Sequence, residues 1–137
     1  MDKSKAKIED FSFKHRIKTR WKDLDAFGHV NNAVFLSYVE DARILFFKRW
    51  GINYEERSLI VASAKIDYIR QVSHPSNLII GQKVSRIGTK SFDIHSVIFI
   101  ENDPLPVCET TIISVAFDFL KNKPVNIYQS IIDDFNI

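Results

Sequence analysis

An α+β domain, with an antiparallel sheet curved around one long helix, is the fold this 137-residue sequence predicts. Three observations point there. One segment, roughly 32–50, repeats Phe35, Tyr38, Val39, Ala42, Leu45, Phe46 and Trp50 at three- and four-residue spacing, the period of a helix. The segments on either side of it are rich in β-branched and aromatic residues. Those that follow it are separated only by short turns, and short turns join antiparallel neighbours.

The elements follow in order. Residues 1–10 read as a flexible polar lead into a single domain that takes up the rest of the chain. Residues 11–22 read as a strand, because Phe11, Phe13, His15, Ile17, Thr19 and Trp21 share one parity and Ser12, Lys14, Arg16, Lys18 and Arg20 the other. A polar stretch, Asp23 to His29, leads to Asn31 or Asn32 as a helix N-cap. The helix is apolar over more than a narrow stripe, so it should be largely wrapped. Gly51 is suited to end it in a left-handed conformation. Residues 58–71 form the next strand, and Ser73 to Asn77 break it. Segments 78–87 and 91–101 flank Gly88-Thr89-Lys90 as a hairpin. Asn102 to Pro106 turn the chain into a strand over 107–119, which Lys121 to Pro124 close. A short helix is expected near 128–135.

Composition narrows the function classes. Hydrophobic residues make up 45% and charged residues 26%, ordinary for a globular domain, and a net charge of +2 does not argue for nucleic acid. The single Cys108 has no intrachain disulfide partner, no cysteine cluster suggests a metal, and no cofactor is called for. Apolar runs stay well below the ~20 residues of a membrane span, and Met1 to Lys5 lack an apolar signal core. A reducing cytoplasm is the expected compartment, with no insertion into a membrane.

The chemistry concentrates in Arg20-Trp21-Lys22-Asp23-Leu24-Asp25-Ala26-Phe27-Gly28-His29-Val30-Asn31-Asn32. A carboxylate stands just before a long helix whose first N–H groups lack intrahelical partners. A carbonyl oxygen held there gains stabilisation as negative charge develops on it. A neighbouring carboxylate can attack the carbonyl carbon or activate a water. Gly28 permits close approach of the backbone to a ligand. Read locally, Asp and Asn at these positions are more commonly caps, His29 a loop or partly buried histidine, and Asp23 a solvated or turn residue.

The run Asp23-x-Asp25-x-x-Gly28-His29-Val30-Asn31-Asn32, followed by Tyr38-x-Glu40-x-Ala42-Arg43, resembles the 4-hydroxybenzoyl-CoA thioesterase family. Ile66-Asp67-Tyr68-Ile69-Arg70, the stretch Arg86 to Phe92, and Pro124-Val125-x-Ile127 continue the resemblance in the same order, so that it covers about residues 13–130. It implies a hotdog fold, a homodimer or homotetramer with pockets at the subunit interface, and hydrolysis of acyl-CoA. It implies Asp25 as the catalytic carboxylate and the backbone N–H of Asn31 or Asn32 as the donor to the thioester carbonyl. It sets Gly28, His29 and Phe35 beside the substrate, and Arg86, Lys90 and Ser91 on the hairpin that holds the nucleotide phosphates. Trp21 and Asn32 stand where some subgroups carry Tyr and His, so those side-chain roles do not transfer. Glu40 and Arg43 read as an i,i+3 helix pair.

Three rival readings follow. Acyl carrier protein thioesters would demand a protein-docking surface and little dependence on the nucleotide. A non-catalytic acyl-CoA-binding domain would lack the carboxylate. A hotdog dehydratase would need a paired His and acid.

Overall fold

A computed structural model describes residues 4–137. Six strands form one antiparallel sheet: β1 (Phe13–Lys18), β2 (Ser58–Tyr68), β3 (Asn77–Ile87), β4 (Ser91–Ile100), β5 (Pro106–Asp118) and the two-residue β6 (Lys123–Pro124). The order across it is β1-β3-β4-β5-β2, with β6 on β5. Helix α1 (Asn32–Lys48) lies across the concave face, and the short α2 (Gln129–Phe135) closes one end. This is the helix-in-sheet arrangement the patterning predicts. Shifts of register between Val61 and Ser63, Val84 and Arg86, and Ile98 and Phe99 bend the strands around the helix.

The core divides into two clusters along α1. Phe35, Tyr38, Val39 and Ala42 meet Leu78, Ile80, Ile98 and Cys108 under its first half. Phe46 and Trp50 meet Val84, Phe92, Ile94, Ile112 and Ile131 under its second. Between them runs a buried polar row, Gln82 paired with Ser96 and Ser96 with Thr110 across three strands. The Gln82 amide donates to the Val39 carbonyl at 3.1 Å, which ties the sheet to the middle of the helix. The helix is less fully wrapped than its composition suggests, because Ile44 and Leu45 on its outer side remain exposed.

Two boundaries differ from the periodicity, for local reasons. The first strand stops at Lys18 and not at 22. The Asp23 carboxylate accepts the Arg20 N–H at 2.9 Å, and the Asp23 N–H donates to the Arg20 carbonyl at 2.9 Å. The chain therefore tightens into a 3-10 turn over Trp21–Asp23, and Trp21 is left 79% exposed. At the other end, Gly51 takes a φ of 67°, in keeping with the left-handed stop expected of it.

Of the polar lead expected over 1–10, residues 1–3 lie outside the described residues. Ala6 and Ile8 pack on the convex face of the sheet against Phe11, Val97 and Phe99. Phe11 lies directly over Gly81, where a Cβ would stand 2.5 Å from its ring. Gly81→Val should therefore displace Phe11 and cost about 1–3 kcal/mol. Combined with Phe11→Ala it should cost less than the sum of the two single changes in chemical unfolding. Strict additivity would show that the two residues do not share this contact.

Candidate active site

The stretch from Arg20 to Asn32 folds into a loop locked onto the start of α1. Leu24 and Val30 form an isolated bridge that closes the neck of the loop, and His29 bridges to Ser73. Inside the neck, the Asp25 N–H donates to the His29 carbonyl at 2.7 Å. Gly28 takes a φ of 83°. A Cβ there would meet nothing within 4 Å, so backbone conformation, and not close packing, is what calls for glycine.

The two oxygens of Asp25 differ. Oδ1 accepts the backbone N–H groups of Phe27 at 2.8 Å and His29 at 3.2 Å. Oδ2 has no hydrogen-bond partner among the described residues. One oxygen is thus held by the loop while the other keeps its lone pairs free. Trp21 and Phe27, both largely exposed, flank this position in sequence.

The helix start is equally specific. Asn31 is the N-cap, its side-chain oxygen accepting the Ala33 N–H at 2.9 Å. The N–H of Asn31 donates to the Asp23 carbonyl at 2.8 Å, and the N–H of Val34 to the Asn31 carbonyl at 2.9 Å. The N–H of Asn32 makes no hydrogen bond among the described residues. Of the two backbone donors expected from the sequence, Asn31 is therefore committed inside the loop and Asn32 is free.

Asp23 is the residue that sequence reasoning misjudged. It does end a turn, the 3-10 turn Trp21–Asp23, but it is not solvated: it is 2% exposed. It accepts from Arg20 Nη2 at 2.9 Å, from the Arg20 N–H, and from the Tyr38 hydroxyl at 2.6 Å. Burial pushes its pKa up, but the Arg20 side chain, the Tyr38 hydroxyl and the Arg20 N–H outweigh this and hold it below the usual carboxylate range. Burial, and then the bond to Asp23, raise the Tyr38 pKa. Asp23 thus ties the Asp25 loop to the second turn of α1 by its side chain and to the N-cap by its carbonyl. The signal for this was available in Arg20 and Asp23 at i,i+3, with Tyr38 two turns into the helix.

The remaining candidates separate in space. His29 lies in the loop, with Nδ1 buried and unpartnered among the described residues. Phe35 is 2% exposed and packs between Tyr38 and Tyr68, so in the single chain it is a core residue and not a wall open to a ligand. Arg86, Lys90 and Ser91 stand at the far end of the sheet. β3 begins at Asn77, opposite Lys18 and next to the Asp25 loop, and runs eleven residues, about 36 Å, before reaching their hairpin. There Arg86 is held by Asp93 at 2.9 Å and by Ser91 Oγ at 3.1 Å, while Lys90 is exposed. Glu40 and Arg43 form the expected helix pair.

The order of these parts, a loop carboxylate, a helix start and a curved sheet, has a counterpart among known proteins. A model of the Thioesterase-like superfamily matches residues 19–135. The chain belongs to that superfamily. It is 37% identical over 87 residues to the uncharacterized protein YsmA of Bacillus subtilis, covering 62% of this chain and 59% of YsmA. It is 27% identical over 124 residues to the chloroplastic acyl-acyl carrier protein thioesterase ATL3 of Arabidopsis thaliana, covering 87% of this chain and 65% of that one. The chain thus spans less than two thirds of the length of either relative. A thioesterase from Thermus thermophilus, solved in complex with coenzyme A and Zn, superposes with a TM-score of 0.79 at 27% identity, over 93% of this chain and 99% of that one. The fold is the hotdog fold of such thioesterases. Among the described residues no helix is long and apolar enough to cross a membrane.

Proposed function

We propose that the chain hydrolyses acyl-CoA to a free acid and coenzyme A, with Asp25 as the reacting carboxylate and the Asn32 N–H as donor to the thioester oxygen. The observation that carries this reading is the pairing of a free carboxylate oxygen, Asp25 Oδ2, with an uncommitted N–H at the start of α1. Negative charge that develops on the thioester oxygen is stabilised by that N–H and by the positive end of the helix dipole. The coenzyme A held by the Thermus thioesterase supports the choice of thioester. The motif from Asp23 to Arg43 supports the 4-hydroxybenzoyl-CoA thioesterase family as the narrower placement within the superfamily. A cytoplasmic location goes with this substrate.

The working unit in this proposal is a homodimer, or a homotetramer built from one. β2 is an eleven-residue edge strand, paired on one side with β5 and carrying exposed Ile60 and Val61. An unpaired edge of this length invites a second copy. The neighbouring flank of α1 is headed by Asn32, whose carbonyl accepts the Tyr68 hydroxyl of β2 at 2.9 Å. Farther along the same flank, Arg43 has two buried N–H groups, Nε and Nη1, without partners among the described residues. Antiparallel pairing of two β2 edges would bring the hairpin end of one copy alongside the Asp25 end of the other. Arg86, Lys90 and Ser91 would then meet the nucleotide of a substrate bound at the partner's loop.

Hydrolysis tests the reading. The chain should release thiol from acyl-CoA across a panel of acyl groups, and Asp25→Asn should abolish the release. Lys90→Ala should raise KM for acyl-CoA about fivefold, the scale of one exposed charge-assisted contact, and leave KM for a truncated pantetheine thioester unchanged. Equal effects on both substrates would take Lys90 away from the phosphates. A second reading, that the acyl group arrives on acyl carrier protein, is favoured by the likeness to the plant enzyme named for that substrate.

A further inference from the structure

The proposed chemistry gives the thioester oxygen a single donor. At the start of α1 the N–H of Asn31 goes to the Asp23 carbonyl, that of Ala33 to the Asn31 side chain and that of Val34 to the Asn31 carbonyl. Asn32 alone of these four keeps its N–H free among the described residues. An oxygen that gains negative charge is better held by two aimed donors than by one. The fold carries a hydroxyl from elsewhere in the chain to this residue. Tyr68 ends β2, opposite Cys108, and its ring lies 6.0 Å from that of Phe35 in the first turn of α1. Its hydroxyl donates to the Asn32 carbonyl at 2.9 Å, and the residue stays 36% exposed.

Packing alone does not call for that hydroxyl, since a phenylalanine would lie on Phe35 equally well. Asn32 is the first residue of α1, so its carbonyl already receives an N–H from the next turn. The Tyr68 bond is an addition on the exposed side. A hydroxyl turns freely about its C–O bond, and a bond to an anionic oxygen is about twice as strong as one to a neutral carbonyl. An O–H resting on the Asn32 carbonyl can therefore swing to an oxyanion that forms at the Asn32 N–H.

We propose that Tyr68 is a second catalytic donor, its hydroxyl joining the Asn32 N–H on the thioester oxygen. The proposal rests on the thioesterase reading above and completes its oxyanion site. Addition of the Asp25 carboxylate, or of a water that Asp25 deprotonates, to the carbonyl carbon moves the C=O π pair onto oxygen. Tyr68 donates a hydrogen bond to that oxygen and keeps its proton. The pair returns as the C–S bond breaks, and the sulfur leaves with the bonding electrons and takes a proton from solvent or from Asp25. Where the carboxylate itself attacked, water then cleaves the acyl anhydride on Asp25.

The test is Tyr68→Phe, checked for an unchanged melting temperature and oligomeric state, and assayed on acyl-CoA and acyl-pantetheine carrying the same acyl group. The expected result is a fall in kcat of about 10- to 100-fold on both substrates, with KM within about twofold of the parent, the signature of a contact made only in the transition state. A parental kcat overturns the proposal. So does a rise in KM with kcat kept, which would make Tyr68 a wall of the site. A loss confined to acyl-CoA, which would assign the hydroxyl to the nucleotide, overturns it too, as does a loss that accompanies a change of oligomeric state. If Tyr68→Phe does not fold, Tyr68→Gln and Tyr68→Met take its place: a higher kcat with the amide donor than with the thioether supports the proposal, and equal rates overturn it. Asp25→Asn in the same assay separates this proposal from the reading beneath it. An inactive Asp25→Asn beside a fully active Tyr68→Phe leaves the thioesterase reading standing and removes only the second donor. Should the parent release no thiol across the panel of acyl groups, both fall together.

Discussion

Asp25→Asn is expected to lower kcat for acyl-CoA hydrolysis about 10³-fold, or about 4 kcal/mol of barrier, with stability changed by less than about 0.5 kcal/mol. The small stability effect follows from the asymmetry of the carboxylate. The Asn carboxamide oxygen can still accept the N–H groups of Phe27 and His29, so the loop keeps its shape. What is lost is the charge and the free lone pairs of Oδ2. An active variant would remove Asp25 from the chemistry, and an unfolded one would show that its role is to hold the loop. A single turnover in ¹⁸O-labelled water separates the two mechanisms open to Asp25. If the carboxylate attacks carbon and water then cleaves the mixed anhydride at the Asp25 carboxyl carbon, one turnover leaves ¹⁸O in the Asp25 side chain and releases unlabelled acid. If it activates a water, the label reaches only the released acid.

Asp23→Ala should be the most damaging single change outside the clusters of apolar side chains. It leaves the Tyr38 hydroxyl, buried beneath α1, without its acceptor, and frees the loop from the helix. The expected cost is about 2–3 kcal/mol, a fall in Tm of about 10 °C. Tyr38→Phe removes one of these bonds and keeps the pairing with Arg20, so it should cost about 1 kcal/mol. The pH dependence follows from the sign of the shift. The folded-state pKa of Asp23 lies below its ordinary value, so its contribution is complete above the unfolded carboxylate pKa of about 4 and is lost as the pH falls through the lower folded value. The stability advantage of the parent over Asp23→Asn should therefore be constant from pH 7 down to about 5 and shrink below about 4. An advantage that did not shrink on acidification would show that the ionised form of Asp23 is not what stabilises the fold.

Asp23 also shows where reading the sequence stops. Local spacing treats Asp23 and Asp25 alike, as polar residues before a helix. Their fates differ because Tyr38, fifteen residues away, turns its hydroxyl toward one of them and not the other. The helix itself was legible, since Phe35, Tyr38, Val39, Ala42 and Phe46 share a face at helical spacing and all five are buried. β1 alternates as expected through Lys18, with Phe13, His15 and Ile17 on the more buried side. Trp21 keeps that parity in sequence but loses it in space, because the Arg20–Asp23 bonds turn the chain before it. Asn31 and Asn32 looked interchangeable as donors. Only the bond from the Asn31 N–H to the Asp23 carbonyl separates them.

Periodicity and turn chemistry were enough to place one long helix inside an antiparallel sheet, and the motif from Asp23 to Asn32 was enough to single out the loop for which the chemistry is proposed. Those features depend on neighbours a few residues apart, which any reading of the chain can see. Which Asp is buried, which helix N–H is free, and at which end of the sheet Arg86, Lys90 and Ser91 stand were decided by contacts between residues distant in sequence. The free oxygen of Asp25 belongs to both levels. Its residue is named by the motif, but its freedom comes from a loop that holds the other oxygen and from a buried neighbour, Asp23, that takes the helix and Arg20 for itself.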